Sequence, residues 1–254
     1  MPDPKKSGFR DTFESLVVTV ILAVFGTTFV IQAFKIPSGS MENTLLIGDH
    51  LLVNKFAFAW QFGILRHLGP YCNPQRGNIL VFKFPSAGVE PQEEPGEHLV
   101  KRIIGVPGDR IRIVHRQVFL NGSPLQEPYV HHEFPDEVRP GDDFPPSGSE
   151  FLSGATPEWL ASLPKYVQSG ELVVPPDSFF VMGDNRENSW DSRFWGFVPR
   201  KLASGQPLLI YWSFETPSGE YLQTSLGDRI SQTFDLLLHF FTKTRWRRTF
   251  RIVR

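Results

Sequence analysis

The chain of 254 residues holds one cysteine, Cys72, so no disulfide can form within it. No H-E-x-x-H or C-x-x-C spacing occurs, although zinc sites are commonly built from such spacings. The formal net charge is −1, so no overall positive field attracts nucleic acid. We therefore expect no metal, no cofactor and no nucleic-acid partner.

Charged residues are also absent from one long apolar stretch, Ser15–Phe34. At about 1.5 Å per residue, a helix of about twenty residues spans a bilayer core of about 30 Å. A cleaved signal peptide is one alternative, but its apolar region is shorter and ends at a small-x-small site. A buried core helix is the other alternative, although no face of this stretch is polar. The stretch predicts one transmembrane helix and a lipid bilayer as a partner.

The charges around this stretch predict its orientation. Lys5, Lys6 and Arg10 precede it, whereas only Lys35 follows it closely. The positive-inside rule then places residues 1–14 in the cytoplasm and everything after the anchor across the membrane. We expect a single-pass protein of the inner (plasma) membrane with its main domain on the external, periplasmic face.

The rest of the chain has the composition of a mainly β protein. Proline and glycine number 22 and 21, which favours strands joined by many turns. Ile79–Phe84, Leu99–Ile104 and Ile111–Val114 are rich in β-branched or aromatic residues, and Asn121–Gly122 is a hairpin signal. We predict one β domain over residues 35–227.

Two segments differ from this pattern. An insertion is expected at about 121–175, because residues 133–170 are dense in Pro, Gly, Ser and acidic residues, as in a surface loop. One short helix is predicted in it near Pro157–Leu163. The C-terminal segment 228–254 has apolar residues at helical spacing followed by basic residues, so it is an amphipathic helix. It either lies on anionic lipid or packs on the domain with a solvated basic tail.

A candidate nucleophile follows the apolar stretch directly. The string Pro37–Ser38–Gly39–Ser40–Met41 carries two hydroxyls around a glycine that lets another backbone come close. A plain Ser/Gly turn is the alternative interpretation. A serine needs a base, and none of the histidines lies in a distinctive context.

Lys101 is the candidate base. Side chains alternate along a strand, so Lys101 shares a face with Leu99 and Ile103 while Arg102 points the other way. Burial on an apolar face favours the neutral amine, which can take a proton from a serine hydroxyl. The alternative is a lysine that reaches water from an edge strand.

A third polar cluster runs from Met182 to Arg193, with Trp195–Pro199 behind it. So many hydrogen-bonding groups are unusual for a simple connection between a strand and aromatic residues. The cluster could form a polar network that holds the lysine in place, or it is a salt-bridged loop.

These clusters, in this order behind one N-terminal anchor, resemble the bacterial type I signal peptidase (leader peptidase) family, whose members are serine endopeptidases with a serine–lysine dyad. The resemblance covers the chain from about residue 15 to 200. The matching strings are Ile36–Met41 with Thr44–Leu45, Arg76–Lys83, Lys101–Asp109, Gly183–Arg186, Asp191–Arg193 and Trp195–Pro199.

The resemblance implies a membrane-bound serine endopeptidase that removes N-terminal signal peptides from exported preproteins, with an antiparallel β-sheet catalytic domain. It implies that Ser40 attacks the scissile carbonyl and Lys101 is the base. The hydroxyl of Ser38 and the backbone N–H of Ser40 would form the oxyanion hole.

The resemblance also implies supporting roles. Ser189 would hydrogen-bond the lysine amine, and Asp191 and Arg193 would form an ion pair beneath it. Apolar pockets for small substrate side chains would be lined by Ile36, Met41 and Val100.

Two positions depart from the family pattern. The family usually has proline where Asn43 stands and aspartate where Asn78 stands. Neither supplies a catalytic group. Other functions remain open at this point: a dedicated Ser–Lys peptidase that matures a single pilin-type substrate, or a catalytically idle membrane-tethered binding module.

Overall fold

The computed structural model describes most of the chain. The described residues are 8–55, 74–85, 98–132, 137, 142–146, 153–219 and 225–253. Residues 1–7 of the predicted cytoplasmic segment lie outside them. So do residues 133–136, 138–141 and 147–152 of the predicted insertion.

Strands dominate the described residues. The strands are β1 Ile31–Lys35, β2 Asp49–Asn54, β3 Ile79–Lys83, β4 His98–Gly105, β5 Arg110–Val114, β6 Gln117–Leu120, β7 Ser123–Pro124, β8 Val167–Gln168, β9 Glu171–Val173, β10 Ser178–Met182, β11 Val198–Pro199, β12 Ala203–Ser213 and β13 Arg251–Ile252. The helices are α1 Gly8–Phe25, α2 Pro157–Ser162, α3 Ser192–Trp195 and α4 Leu226–Lys243, with a π-helical turn at Gly26–Val30 and 3₁₀ turns at Gly39–Met41, Leu163–Lys165 and Arg200–Leu202.

The larger sheet has eight described strands in the order β1-β2-β12-β3-β4-β10-β11, and β13 pairs with β12. Every described pairing in it is antiparallel. The mainly β, antiparallel class predicted from the composition is therefore confirmed. The long strand β12 joins the two halves of the sheet, because its start pairs with β3 and its remainder with β2.

Strands β3 and β4 lie between two apolar clusters and are buried on both faces. In β3, Leu80 and Phe82 pack into one cluster, while Ile79 and Val81 pack into the other. The alternation of side chains along a strand produces this division. Strand β4 therefore carries Lys101 through the middle of the domain.

The smaller sheet has the order β7-β6-β5-β9-β8 and includes part of the predicted insertion. The short helix predicted there is confirmed as α2, which Thr156 caps by accepting a hydrogen bond from the Trp159 N–H. The described residues of the predicted insertion are not all surface loop. Phe144, Trp159 and Leu163 are buried in the core cluster around the smaller sheet, because their apolar side chains cover its face.

The N-terminal segment divides at Ile31. Helix α1 and the π-helical turn cover most of the predicted anchor, but its last residues form β1, which pairs with β2 from Ile31 to Lys35. The predicted helix over 15–34 therefore ends too late, because these residues complete a sheet edge. Among the described helices, none is both long enough and apolar enough to cross a membrane.

The C-terminal segment contains the predicted amphipathic helix as α4. A capping box between Ser225 and Asp228 starts it, and the backbone leaves helical angles at His239. One of the two predicted alternatives gives this segment a solvated basic tail. Arg247 and Arg251 are exposed, as that alternative expects, but the chain after α4 returns to the larger sheet. There β13 pairs with β12, and Arg248 forms an ion pair with Asp49 at 2.6 Å.

Candidate active site

Ser40 lies in a 3₁₀ turn that leaves strand β1. The turn is closed by the Glu42 N–H, which donates to the Gly39 carbonyl at 3.0 Å, and the Leu45 N–H donates to the Met41 carbonyl at 2.8 Å just after it. The Asn185 N–H donates to the Ser40 carbonyl at 3.1 Å and so ties the turn to the third polar cluster. Ser40 is buried except for a small fraction of its surface.

Lys101 lies at the centre of β4 and is only 3% exposed. It stands opposite Leu80 of β3. On its other side, β10 pairs Met182 with Arg102 in antiparallel register, so the next residue, Gly183, comes beside Lys101. Strand pairing therefore brings the start of the polar cluster to the lysine.

Gly183 lies tightly between the serine turn and the rest of the polar cluster. A Cβ atom there would lie 2.4 Å from the Ser40 carbonyl oxygen and 2.3 Å from the Ser189 Oγ. No side chain fits at those distances, so this position requires glycine. The Gly183 N–H donates to Ser189 Oγ and to Asp191 Oδ2, both at 3.1 Å.

Ser189, Asp191 and Arg193 form one buried chain of hydrogen bonds. Ser189 Oγ donates to Asp191 Oδ2 at 2.8 Å. Arg193 donates from Nε to Asp191 Oδ1 at 2.9 Å and from Nη2 to Oδ2 at 3.0 Å, the bidentate geometry that makes such pairs strong. The ion pair implied by the resemblance is thus present.

Charges around Asp191 keep it ionised. Burial by itself would raise the pKa of Asp191, but Arg193, Lys101 and the Gly183 N–H hold that pKa below its ordinary value. The carboxylate and the lysine therefore lie close enough to interact electrostatically.

The predicted residues converge on one cleft of about 380 Å³. Those that line it are Ile36, Ser38, Ser40, Met41, Val100, Lys101 and Ser189. Asp191 and Arg193 do not line it but stand behind Ser189. Hydroxyls, an amine and apolar side chains therefore share one concave surface.

Sequence reasoning missed other residues that line the cleft, among them Phe34, His98 and Trp190. His98 packs its ring against Phe34 at 5.1 Å. Burial, with Lys83 and Lys55 nearby, lowers the pKa of His98, so its imidazole is uncharged near neutral pH. His98 directly precedes the predicted strand Leu99–Ile104, but no local signal indicated that it would line a cleft.

A second buried ion pair supports the site, and sequence reasoning missed it as well. Arg102 donates to Asp184 from Nε at 2.8 Å and from Nη2 at 2.6 Å. Thr44 donates its hydroxyl to the same carboxylate at 2.5 Å, and Arg102 also donates to the Gly77 carbonyl at 2.7 Å. This network joins the lysine strand, the polar cluster and the segment after the serine turn.

The polar cluster is tied to the smaller sheet through Glu187, whose side chain is almost fully buried. His132 Nδ1 lies 2.7 Å from its Oε1, and Arg116 lies 3.3 Å from the same oxygen. Since Glu187 also lines the cleft, these contacts position one wall of the site.

The two departures from the family pattern have distinct structural meanings. Asn43 has a φ of 77°, in the left-handed region, which asparagine tolerates and proline cannot adopt. The local backbone therefore differs from one that proline would impose. Asn78 accepts a hydrogen bond from the Gln75 N–H through Oδ1 at 2.9 Å, a role that an aspartate oxygen would fill equally.

Among the described residues, no group of three or more His, Cys, Asp or Glu side chains could hold a metal ion.

The sequence matches the family described as signal peptidase, peptidase S26, over residues 9–212. The chain belongs to this signal peptidase family. A signal peptidase I from Leptolyngbya laminosa is 34% identical, over 81% of this chain and 81% of that protein. A probable signal peptidase I-2 from Synechocystis sp. is 32% identical, covering 82% and 76%. The signal peptidase I of Pseudomonas aeruginosa is also 32% identical, covering 82% and 72%. The resemblance drawn from the motifs is confirmed.

Proposed function

We propose that this signal peptidase family member hydrolyses the bond after a signal peptide with Ser40 as nucleophile and Lys101 as general base. Family membership makes the chain a peptidase that removes signal peptides, and the residue roles are our proposal. The observation that carries them is the convergence of Ser40, Lys101 and Ser38 on one cleft, with Lys101 buried at the centre of a strand.

In this mechanism the neutral Lys101 amine takes the proton of the Ser40 hydroxyl while Oγ bonds to the scissile carbonyl carbon. The hydroxyl of Ser38 and the backbone N–H of Ser40 donate to the oxyanion that forms. The lysine ammonium then gives its proton to the leaving amine, and the C–N bond breaks. A water, deprotonated by Lys101, releases the acyl group from Ser40.

The groups around Lys101 have opposing effects on the protonation of its amine. Burial favours the neutral amine, whereas the nearby Asp191 carboxylate favours the ammonium. Because Arg193 pairs with Asp191 in bidentate fashion, it offsets part of that attraction. Ser189 donates its only proton to Asp191, so its oxygen is left to accept from the Lys101 amine and orient it.

Substrate selection is assigned to the apolar wall of the cleft. Ile36, Met41 and Val100 line it and also pack into the neighbouring core cluster, so their positions are constrained. Shallow apolar pockets between such fixed side chains accept small residues and reject large ones. This agrees with the small-x-small rule of signal peptide cleavage.

The membrane is the proposed setting of this chemistry. Residues 15–34 carry no charge, and Leu16, Ile21 and Leu22 of α1 are more than half exposed, which suits contact with lipid. The positive-inside rule gives a cytoplasmic N-terminus and a catalytic domain on the external face of the inner membrane. In spheroplasts, protease added outside should cut the loop at 136–150, and protection of that loop would reverse the orientation.

The test of the chemistry uses detergent-solubilised protein and a preprotein that carries a signal peptide. Ser40→Ala and Lys101→Arg should each abolish cleavage, the latter because a guanidinium does not give up its proton. Ser178→Ala, outside the cleft, is the matched control and should cleave normally. Substantial cleavage by the Lys101→Arg protein would exclude lysine as the base.

A further inference from the structure

Helix α4 turns its apolar face away from the protein. Ile230, Phe234, Leu237, Leu238 and Phe241 recur at spacings that place them on one face of a helix. Their exposed fractions run from 59% to 78%, and no residue of this fully described helix is buried. Such a face, exposed in water, indicates an apolar partner.

The opposite face of α4 is the more sheltered one, although it is polar. Asp228, Gln232 and Asp235 are half-buried there. Asp235 pairs with Lys243 at 2.7 Å and with His239 at 2.9 Å. A helix that packs on a protein core shows the reverse arrangement, with its apolar stripe inward. The exposed apolar face of α4 is therefore the one that would contact a partner.

The apolar surface continues beyond the helix. The ring of Phe241 stacks on that of Trp246, with centroids 6.3 Å apart and planes 25° apart. Phe250 and Ile252, in the segment that returns to the sheet, are 74% and 63% exposed. We call this surface, from Ile230 to Ile252, the C-terminal apolar surface.

Basic side chains accompany this surface. Arg229, Arg247 and Arg251 are exposed next to its apolar residues. Cations beside an apolar helical face, with a tryptophan at the margin, match the boundary between lipid headgroups and acyl chains. We propose that the C-terminal apolar surface lies on an anionic lipid bilayer, with the stripe of α4 inserted below the headgroups.

A second copy of the chain is the competing occupant. A symmetric dimer presents the same patch on both subunits, so it would bring the two sets of arginines together. Like charges at an interface are unfavourable, whereas anionic headgroups neutralise them. The charges therefore favour lipid.

The segment after α4 connects this surface to the catalytic serine. Arg245 donates to the Ile47 carbonyl at 2.9 Å, and Arg248 donates to the Thr44 carbonyl at 3.0 Å. Both contacts lie on the loop that follows the turn of Ser40. A bilayer contact at α4 would therefore hold the cleft close to the membrane surface. The lipid contact is independent of the proposed chemistry, and only this consequence rests on the proposed function.

The test places a fluorophore on each face of α4 in the full chain. In a Cys72→Ser background, Leu237→Cys labels the apolar stripe and His239→Cys labels the opposite face as the matched control. Each protein is reconstituted into vesicles of phosphatidylcholine alone, or of equal parts phosphatidylcholine and phosphatidylglycerol. Emission wavelength and quenching by acrylamide, a neutral aqueous quencher, are then measured.

In the anionic vesicles, we expect the label at position 237 to shift to the blue and to be quenched severalfold less than the label at 239. Phosphatidylcholine alone should give less protection. Equal quenching at both positions, or equal protection in both lipids, would overturn the proposal. So would disulfide-linked dimers through an unlabelled Leu237→Cys, which would indicate a second copy as the occupant. Cleavage of a soluble peptide, measured in parallel, tests the chemistry separately.

Discussion

At the scale of single residues, Asn43 shows how one backbone angle shapes the serine turn. It has a φ of 77° and stands two residues after Met41, the last residue of the 3₁₀ turn that carries Ser40. Only glycine adopts this region without strain, and asparagine is tolerated there better than most residues. The position therefore constrains substitution although it provides no catalytic group.

We predict that Asn43→Pro lowers both stability and activity, because proline is locked near a φ of about −65°. Asn43→Gly should retain the cleavage rate within about threefold and change stability by less than about 1 kcal/mol. Thermal unfolding and preprotein cleavage measure both variants. A proline variant as active as the wild type would show that the turn does not need this conformation.

The lowered pKa of Asp191 predicts a dependence of stability on pH. Because the folded-state pKa lies below the ordinary value, the unfolded chain binds a proton first as the pH falls. The stabilisation is therefore complete above pH about 4 and is lost as the pH falls through the folded-state pKa.

The measurement is the free energy of unfolding in urea for the wild type and for Asp191→Asn between neutral pH and pH about 3. The stability difference between the two proteins should begin to shrink below pH about 4, because the unfolded wild type then binds a proton at Asp191 that the folded wild type binds only at lower pH. A difference that stays constant over this range would mean that Arg193 and the surrounding groups do not depress the pKa.

At the scale of elements, the segment after α4, from Arg245 to Arg248, contacts the loop that follows Ser40. We call this segment the strap. Asp49, at the start of β2, is fully buried. It accepts hydrogen bonds from Arg248 at 2.6 Å, from Ser213 at 2.6 Å and from the Leu46 N–H at 2.9 Å. A residue near the end of the chain thus satisfies a buried carboxylate beside the serine turn.

We predict that Arg248→Met destabilises the protein by about 3 kcal/mol, because it leaves a buried carboxylate without its cation. The cleavage rate should also fall, since the loop from Thr44 to Asp49 supports the serine turn. Arg247→Met is the matched control on the exposed neighbour and, in detergent without a bilayer, should change neither property. The double variant Asp49→Asn with Arg248→Met should recover part of the lost stability.

If Arg248→Met were as stable as Arg247→Met, the ion pair seen with Asp49 would have no role in holding the loop. If stability fell while the cleavage rate per folded molecule stayed unchanged, the strap would be structural only. These two outcomes separate support of the fold from support of the serine turn.

At the scale of the whole molecule, the sequence predicts elements whose signals are local. The β-branched runs predict β3, β4 and β5, and Asn121–Gly122 predicts the turn after β6. Local strings also indicated the candidate site residues, Ser40, Lys101 and the third polar cluster, although each string had a plain structural interpretation as well. Their meeting in one cleft needed either the family resemblance or the sheet register.

Features that depend on distant pairing were not predictable. Arg102 and Asp184 are 82 positions apart, and only the register between β4 and β10 brings them together. Arg248 and Asp49 are 199 positions apart. The apolar pattern predicts a helix up to Phe34, whereas the helical segment ends at Val30 and β1 follows. Apolar residues fit a transmembrane helix and a sheet edge equally well. Hydrophobicity alone therefore does not distinguish the end of a transmembrane helix from an edge strand.

The central claim is that Ser40 and Lys101 act as one catalytic unit, and a double-mutant comparison tests it most directly. Cleavage of one preprotein is timed with wild type, Ser40→Ala, Lys101→Ala and the double variant, under the same detergent and pH. Residues that act as a unit are strongly non-additive. We predict that each single variant loses nearly all activity and that the double variant is no slower than either one. Losses that multiply in the double variant, or robust cleavage by Lys101→Ala, would contradict the dyad.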